Sequence, residues 1–182
     1  MREAKVDSEI YLRELSENDV SEDYVEWMND YEIVKYTESR FSKHTLESIK
    51  SFVNRCFQSD YDILYGIFLT DSDVHIGNIK LGNIHPVYKH ADIGIIIGRR
   101  ECWGKGHATE AIRFVTDYGF STLDLHKIYA GAYAHNVGSI KAFQKAGFKI
   151  AYTKKDEVIL NGKYEDCIYL ELINPAHIEE KR

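Results

Sequence analysis

At 182 residues, with 44% hydrophobic and 29% charged residues, the chain has the composition of one globular domain long enough to bury a sizeable core. The formal net charge of -6, with no basic face, argues against a nucleic-acid binder, and no apolar run approaches the length of a membrane span. Cys56, Cys102 and Cys167 are odd in number and far apart, which argues against a disulfide framework or a zinc site and for a reducing compartment. Met1–Glu9 is charged and shows no apolar leader, so a cytoplasmic protein is expected.

The elements follow from hydrophobic spacing. Ile10 to Glu14 reads as a strand, and Tyr24, Trp27 and Met28 share one face of a short helix that Asn29-Asp30 can end. Leu46, Ile49, Phe52, Val53 and Phe57 keep helical spacing. Ile63–Leu69 and Val74–Leu81 read as two strands joined at Asp71-Ser72-Asp73, and Asp92–Ile97 as a third. Ala108, Ala111, Ile112 and Val115 form the apolar face of a helix, Lys127–Ala134 a strand, and Asn136–Ala146 a helix that Gly147 can stop in the left-handed conformation. Two final strands flank Asn161-Gly162, a strong two-residue hairpin signal. No repeat, linker or low-complexity stretch interrupts the series, so a single domain over residues 1–182 is expected.

The strand Ile93–Ile97 runs through Gly98 into Arg99-Arg100-Glu101-Cys102-Trp103-Gly104-Lys105-Gly106, and this turn opens the helix that begins near His107-Ala108. A glycine turn at a helix start aims backbone N–H groups and the positive helix end at one spot, a way of holding phosphate. Gly104 and Gly106 let the main chain close on an anion, and Lys105, Arg99 and Arg100 are expected to add positive charge. A Walker A loop is excluded, because one residue separates the glycines and His107 follows. A dinucleotide fingerprint fails as well: Thr109 stands at its third glycine, and Asp124 precedes the next strand instead of ending it.

The loop does resemble the pyrophosphate signature of the GCN5-related N-acetyltransferase (GNAT) family, Gln/Arg-x-x-Gly-x-Gly/Ala, with Glu101 at the first position and Arg100 beside it. Asn136-Val137-Gly138-Ser139 through Phe143 to Phe148 is similar to that family's second cofactor helix and its glycine turn. Tyr11-Leu12-Arg13-Glu14-Leu15 with Asp19, and Asn161 to Asp166, resemble the branch containing ribosomal-protein alanine and spermidine acetyltransferases. The likeness runs from about Ile10 to about Ile173.

The resemblance implies a mixed α/β (α+β) fold, a mostly antiparallel central sheet with splayed strands and flanking helices, binding acetyl-CoA as acetyl donor. It implies that the backbone of Ile95, Ile96 and Ile97 takes the pantetheine amides. The loop Trp103, Gly104, Lys105, Gly106, His107 and Ala108 would take the pyrophosphate, and Asn136 and Ser139 would stand beside the thioester. Read from the residues alone, Asn136 is also a favoured helix cap.

Acyl transfer to an amine needs a neutral nitrogen and a proton for the departing thiolate. Asp92, on the strand feeding the splay, is the expected base, with His90, His135 and Tyr133 as alternatives. Many family members carry Tyr seven residues after the helix-opening Asn, where this chain has Phe143, so Ser139 or water is the expected proton donor. Acceptor choice is expected to lie in Trp27–Thr45, His85–His90 and Val158–Glu165. Trp27-Met28-Asn29-Asp30 and Asn78-Ile79-Lys80-Leu81 are most similar to relatives acting on small amines or amino sugars, including nucleotide-linked ones. A protein N-terminus and a polyamine are the alternatives, and a homodimer is compatible. A different class of function, a silent acyl-CoA-binding module, has the missing tyrosine as its sequence support.

Overall fold

The computed structural model describes residues 8–178. The charged stretch read as lacking a leader lies outside the described residues, apart from Ser8 and Glu9. The strands are β1 (Ile10–Glu14), β2 (Ile63–Leu69), β3 (His75–His85), β4 (His90–Ile97), β5 (Lys127–Tyr133), β6 (Lys149–Leu160) and β7 (Lys163–Ile173). They form one sheet in the order β1-β2-β3-β4-β5-β7-β6. Every neighbouring pair is antiparallel except β4–β5. The helices are α1 (Glu22–Asn29), α2 (Tyr31–Val34), α3 (Leu46–Phe57), α4 (His107–Ser121) and α5 (Val137–Lys145).

Local chemistry sets the element ends. Ser21 caps α1 by accepting from the Tyr24 N–H, and Thr45 and Ser48 form a reciprocal capping pair on α3. Gly147 ends α5 at φ +103°, as its position predicts. Asn161 and Gly162 both have positive φ, the turn type that matches strand twist in a two-residue hairpin. β3 runs four residues past Leu81, and β4 starts at His90 instead of Asp92, because the two strands stay paired down to His85↔His90.

The sheet buries two cores. On one face α4, through Ile112 and Val115, and α5 cover Ile79, Ile93, Ile128 and Leu170. On the other, α1 and α3 pack Trp27, Met28, Ile49 and Val53 against Leu64 and Phe68, and Ile96 joins them from β4. Alternation along β4 therefore sends odd and even isoleucines into different cores.

Trp27 lies flat over Gly98 at the end of β4: a methyl group on Gly98 would sit 2.0 Å from the indole. This contact docks α1, and with it α2, beside the open end of the sheet. Gly98→Ala should overpack the contact at a cost of about 1–3 kcal/mol. A chain of this size should then lose roughly 2–4 °C of Tm per kcal/mol. An unchanged melting temperature by calorimetry would show that α1 does not close on Gly98.

Candidate active site

Parallel pairing between β4 and β5 is confined to His90↔Lys127, Ala91↔Ile128 and Asp92↔Tyr129. Both strands continue, β4 to Ile97 and β5 to Tyr133, but they part. Each stays paired on its outer side, β4 to β3 and β5 to β7. The inner edges beyond Asp92 and Tyr129 thus line a wedge.

Which main-chain groups point into the wedge follows from register. The Gly98 N–H donates to the Ile76 carbonyl at 2.8 Å, so Gly98 faces β3, and in an antiparallel pair the facing residues alternate. Ile96 and Gly94 also face β3; Ile93, Ile95 and Ile97 face the wedge. Across it the Ala134 N–H donates to the Asp166 carbonyl on β7, which leaves Gly131 and Tyr133 facing inward. The expectation for three consecutive isoleucines is corrected on this point. Ile95 and Ile97 offer backbone groups, and Ile96 does not. The Ile97 carbonyl is already engaged by the Trp103 indole N–H at 2.8 Å, leaving its N–H.

Two joined clefts open from the wedge. The first, of about 540 Å³, is lined by Ile95, Ile96, Ile97, Trp103, Gly104, Gly106, His107, Ala108, Asn136 and Ser139 together with Lys141 and Lys145 of α5. The structure thus brings together the expected cofactor residues except Lys105, which is exposed on the loop. Gly104 and Gly106 have φ of +74° and +96°, and a Cβ on either would meet no protein atom within 4 Å. Gly106 stands at the cap of α4 with no side chain to satisfy the first-turn N–H groups, which face the same opening. Open backbone donors, helix end and space together fit a pyrophosphate with a pantetheine arm beside it.

The expected role of Arg99 and Arg100 is corrected. Arg99 pairs with Asp23 and donates to the His75 carbonyl, and Arg100 pairs with Asp30. Their charge is spent tying the loop to α1. Lys141 and Lys145, one turn apart on α5, bring positive charge to the cleft instead. Asn136 accepts from the Ser139 N–H at 3.3 Å, so its cap role is present, and both residues line the junction of the clefts.

The second cleft, of about 420 Å³, shares Ile95, Tyr36, Thr37, Asn136 and Ser139 with the first and adds Glu38, Tyr133, Phe143, Glu157 and Tyr169. Its charged lining residues are Glu38 and Glu157; among the described residues no Lys or Arg lines it. A chain of contacts roofs it. Tyr133 donates to Glu38 at 3.0 Å and accepts from Arg40 at 2.6 Å. Arg40 also donates to the carbonyls of Lys35, Thr37 and Ile159, and the Tyr31 hydroxyl bonds Asn161 at 2.7 Å. The segment after α2 is thereby fastened to the β6–β7 hairpin. Burial raises the Tyr133 pKa above the ordinary phenol value; Glu38 adds to the rise and Arg40 opposes it.

Asp92 lines neither cleft. It sits in the paired part of β4, directly before Ile93 at the cleft edge. Its Oδ2 accepts from Asn83 at 2.9 Å, and its Oδ1 is buried without a hydrogen-bond partner. Asp92 therefore stands just outside the second cleft, whose lining carboxylates are Glu38 and Glu157. His90, the first residue of β4, packs against the rings of His85 and Tyr88 at the closed end of the wedge, and none of His85–His90 lines either cleft. The sequence reading missed Glu38 and Glu157, although the segments holding Glu38 and Val158 were singled out.

Comparison with known proteins agrees with this geometry. The family model described as an acetyltransferase (GNAT) domain matches residues 9–149. The chain belongs to the GNAT acetyltransferase family. It is 37% identical over 119 residues to the probable N-acetyltransferase YjcK of Bacillus subtilis, a match spanning 65% of each chain. It is 27% identical over 155 residues to spermidine N(1)-acetyltransferase of Escherichia coli K12, covering 76% of this chain and 83% of that one. Its fold resembles spermidine N-acetyltransferase from Vibrio cholerae, solved with CoA and spermine, at a TM-score of 0.82 and 23% identity over 93% and 98% of the two chains.

If the glycine loop holds the donor, a side chain on Gly106 should block it. Gly106→Val should raise the acetyl-CoA dissociation constant at least tenfold, about 1.4 kcal/mol. Calorimetric titration of a variant that still melts cooperatively reads this directly, and wild-type affinity would remove the loop from the site.

Proposed function

We propose that this acetyltransferase transfers the acetyl group of acetyl-CoA to a primary amine of a small polycation of the polyamine class. The observation carrying the substrate class is the charge of the second cleft: Glu38 and Glu157 line it, and no cationic side chain does among the described residues, the nearest Lys154 being paired with Glu157 at 2.9 Å. An alkyl amine with a pKa of about 10.4 arrives protonated at neutral pH and is attracted first by Glu38, the lining carboxylate that carries no Lys or Arg ion pair among the described residues. A nucleotide-linked amino sugar would bring a diphosphate, which calls for Arg or Lys. Arg40, the guanidinium beside the cleft among the described residues, is occupied by Tyr133 and three carbonyls. The amino-sugar preference read from the sequence gives way on this ground. Relatives described as spermidine acetyltransferases support the same class.

The thioester supplies the activated acyl group, so the protein's work is positioning and proton transfer. Ile95 and Ile97 would hold the amide-bearing arm along β4, and the loop Gly104–Gly106 with the start of α4 would hold the phosphates. Ser139, at the junction of the clefts, is the hydroxyl proposed to return a proton to the departing sulfur. Phe143 lines the same place, is 2% exposed, and has no proton to give.

Following free thiol release with spermidine, a simple monoamine, an amino-sugar nucleotide and an N-terminal peptide tests the reading. The highest kcat/KM should belong to the polyamine. Preference for the sugar nucleotide or the peptide would overturn the substrate class. Release with none of them would mark a silent acyl-CoA-binding module. In the same assay Ser139→Ala should lower kcat with acetyl-CoA affinity nearly unchanged, and an unaltered kcat would take Ser139 out of the reaction.

A further inference from the structure

The hydroxyl of Tyr133 stands in a defined hydrogen-bond state. A phenol has one proton to donate and two lone pairs to accept with. Arg40 Nη1, which can only donate, occupies one lone pair at 2.6 Å. The phenolic proton points to Glu38 Oε1 at 3.0 Å. One lone pair remains. Tyr133 is buried, lines the second cleft with Glu38, and shares that cleft with Ser139, Ile95 and Phe143. The ring is fixed edge-on by Tyr36, and the Arg40 guanidinium lies 5.0 Å from its centre.

We propose that Tyr133 is a catalytic residue and that, with Glu38, it forms a proton relay that neutralises the acceptor ammonium. This rests on the amine-acetylating function proposed above and takes Tyr133, one of the alternatives to Asp92, as the group that meets the amine. The ammonium N–H donates to the free lone pair of Tyr133 Oη. As that proton moves to Oη, the phenolic proton moves to Glu38 Oε1, leaving a neutral amine, a neutral phenol and a protonated Glu38. The amine nitrogen then bonds to the thioester carbonyl carbon, and the C–S bond breaks. The second amine proton is lost and the sulfur gains one, while Glu38 returns its proton to solvent. The net yield is one amide, one thiol and one released proton.

Burial raises the Tyr133 pKa, in keeping with a phenol that passes a proton on instead of resting as phenolate. Arg40 is the positioning residue. Its bonds to Lys35, Thr37 and Ile159 carbonyls hold the guanidinium in place, so the Tyr133 proton has Glu38 as its acceptor. The other titratable groups around this pair are Tyr36 beside α2, Glu157 with its ion-pair partner Lys154 on β6, and Tyr169 and Cys167 on β7, Cys167 being opposite Tyr133. Glu165 is turned away, accepting from the backbone and ring of His135. Glu157 and Cys167 are the groups that could distort a pH profile assigned to the relay.

The test is the pH dependence of kcat/KM for spermidine from pH 6.5 to 9.5, in wild type, Tyr133→Phe, Glu38→Gln and the double variant. Gln can still accept the Tyr133 hydrogen bond but cannot take its proton. Without the relay only amine deprotonated in solution can react, so each variant should gain about tenfold per pH unit toward the amine pKa. The deficit against wild type should be roughly 10²-fold or more at pH 7 and shrink steadily as pH rises. The double variant should be no worse than the more impaired single one. An acceptor amine with a pKa near 7 should show little deficit in any variant. Parallel pH profiles, additive losses, or a rise in KM with kcat unchanged would overturn the relay and leave the pair as a charge contact. Glu38→Gln decides the matter alone if Tyr133→Phe does not fold. An inactive wild type with every amine would instead sink the proposed function, a result separate from any of these.

Discussion

The parallel pairing between β4 and β5 stops after Asp92↔Tyr129, and the rest of the site depends on that stop. Beyond that point each strand is still hydrogen-bonded on its outer edge, β4 to β3 and β5 to β7. The inner edges therefore carry backbone donors and acceptors with no partner strand, a costly state for buried groups and a ready surface for an amide-bearing chain. The wedge is a place where the sheet is built to be completed by a ligand.

The two ends of the wedge carry opposite chemistry. At the wide end, the glycine loop and the start of α4 present N–H donors, and Lys141 and Lys145 add charge from α5. On the other face, past Asn136 and Ser139, the charged side chains of the lining are carboxylates among the described residues, with Lys154 paired to one of them. The passage thus offers opposite charge at its two mouths. Arg99 and Arg100 serve this separation indirectly. By pairing with Asp23 and Asp30 they hold α1 and the following segment over the sheet, where Tyr36, Thr37 and Glu38 come to line the passage.

Much of this was legible in the sequence, because it is written locally. Alternation and helical spacing located β1, β2, α3 and α5, and Gly147 and Asn161-Gly162 act through their own backbone angles. The loop from Trp103 to Ala108 could be read for the same reason, since its chemistry lies in consecutive backbone groups. What the sequence hid is what distant pairing decides. Ile96 looks equivalent to Ile95 until the register with β3 turns its amide away. Arg99 looks like a phosphate ligand until Asp23, 76 residues away, takes it. Glu38 carries no local mark at all; it becomes part of the site by meeting Tyr133 across 95 residues. Asp92 is the reverse case. It has suitable chemistry in the sequence, but it stands one residue short of the cleft lining, with its Oδ2 bonded to Asn83.

The central claim is that the unpaired inner edges of β4 and β5 are the donor's binding surface. Residue-resolved amide hydrogen exchange with and without acetyl-CoA tests it most directly. The N–H groups of Ile95 and Ile97 should exchange quickly in the free protein and become protected on binding, while Ile96, already turned to β3, should be protected in both states. Equal protection of all three before binding, or acetyl-CoA protection confined to other strands, would contradict the account.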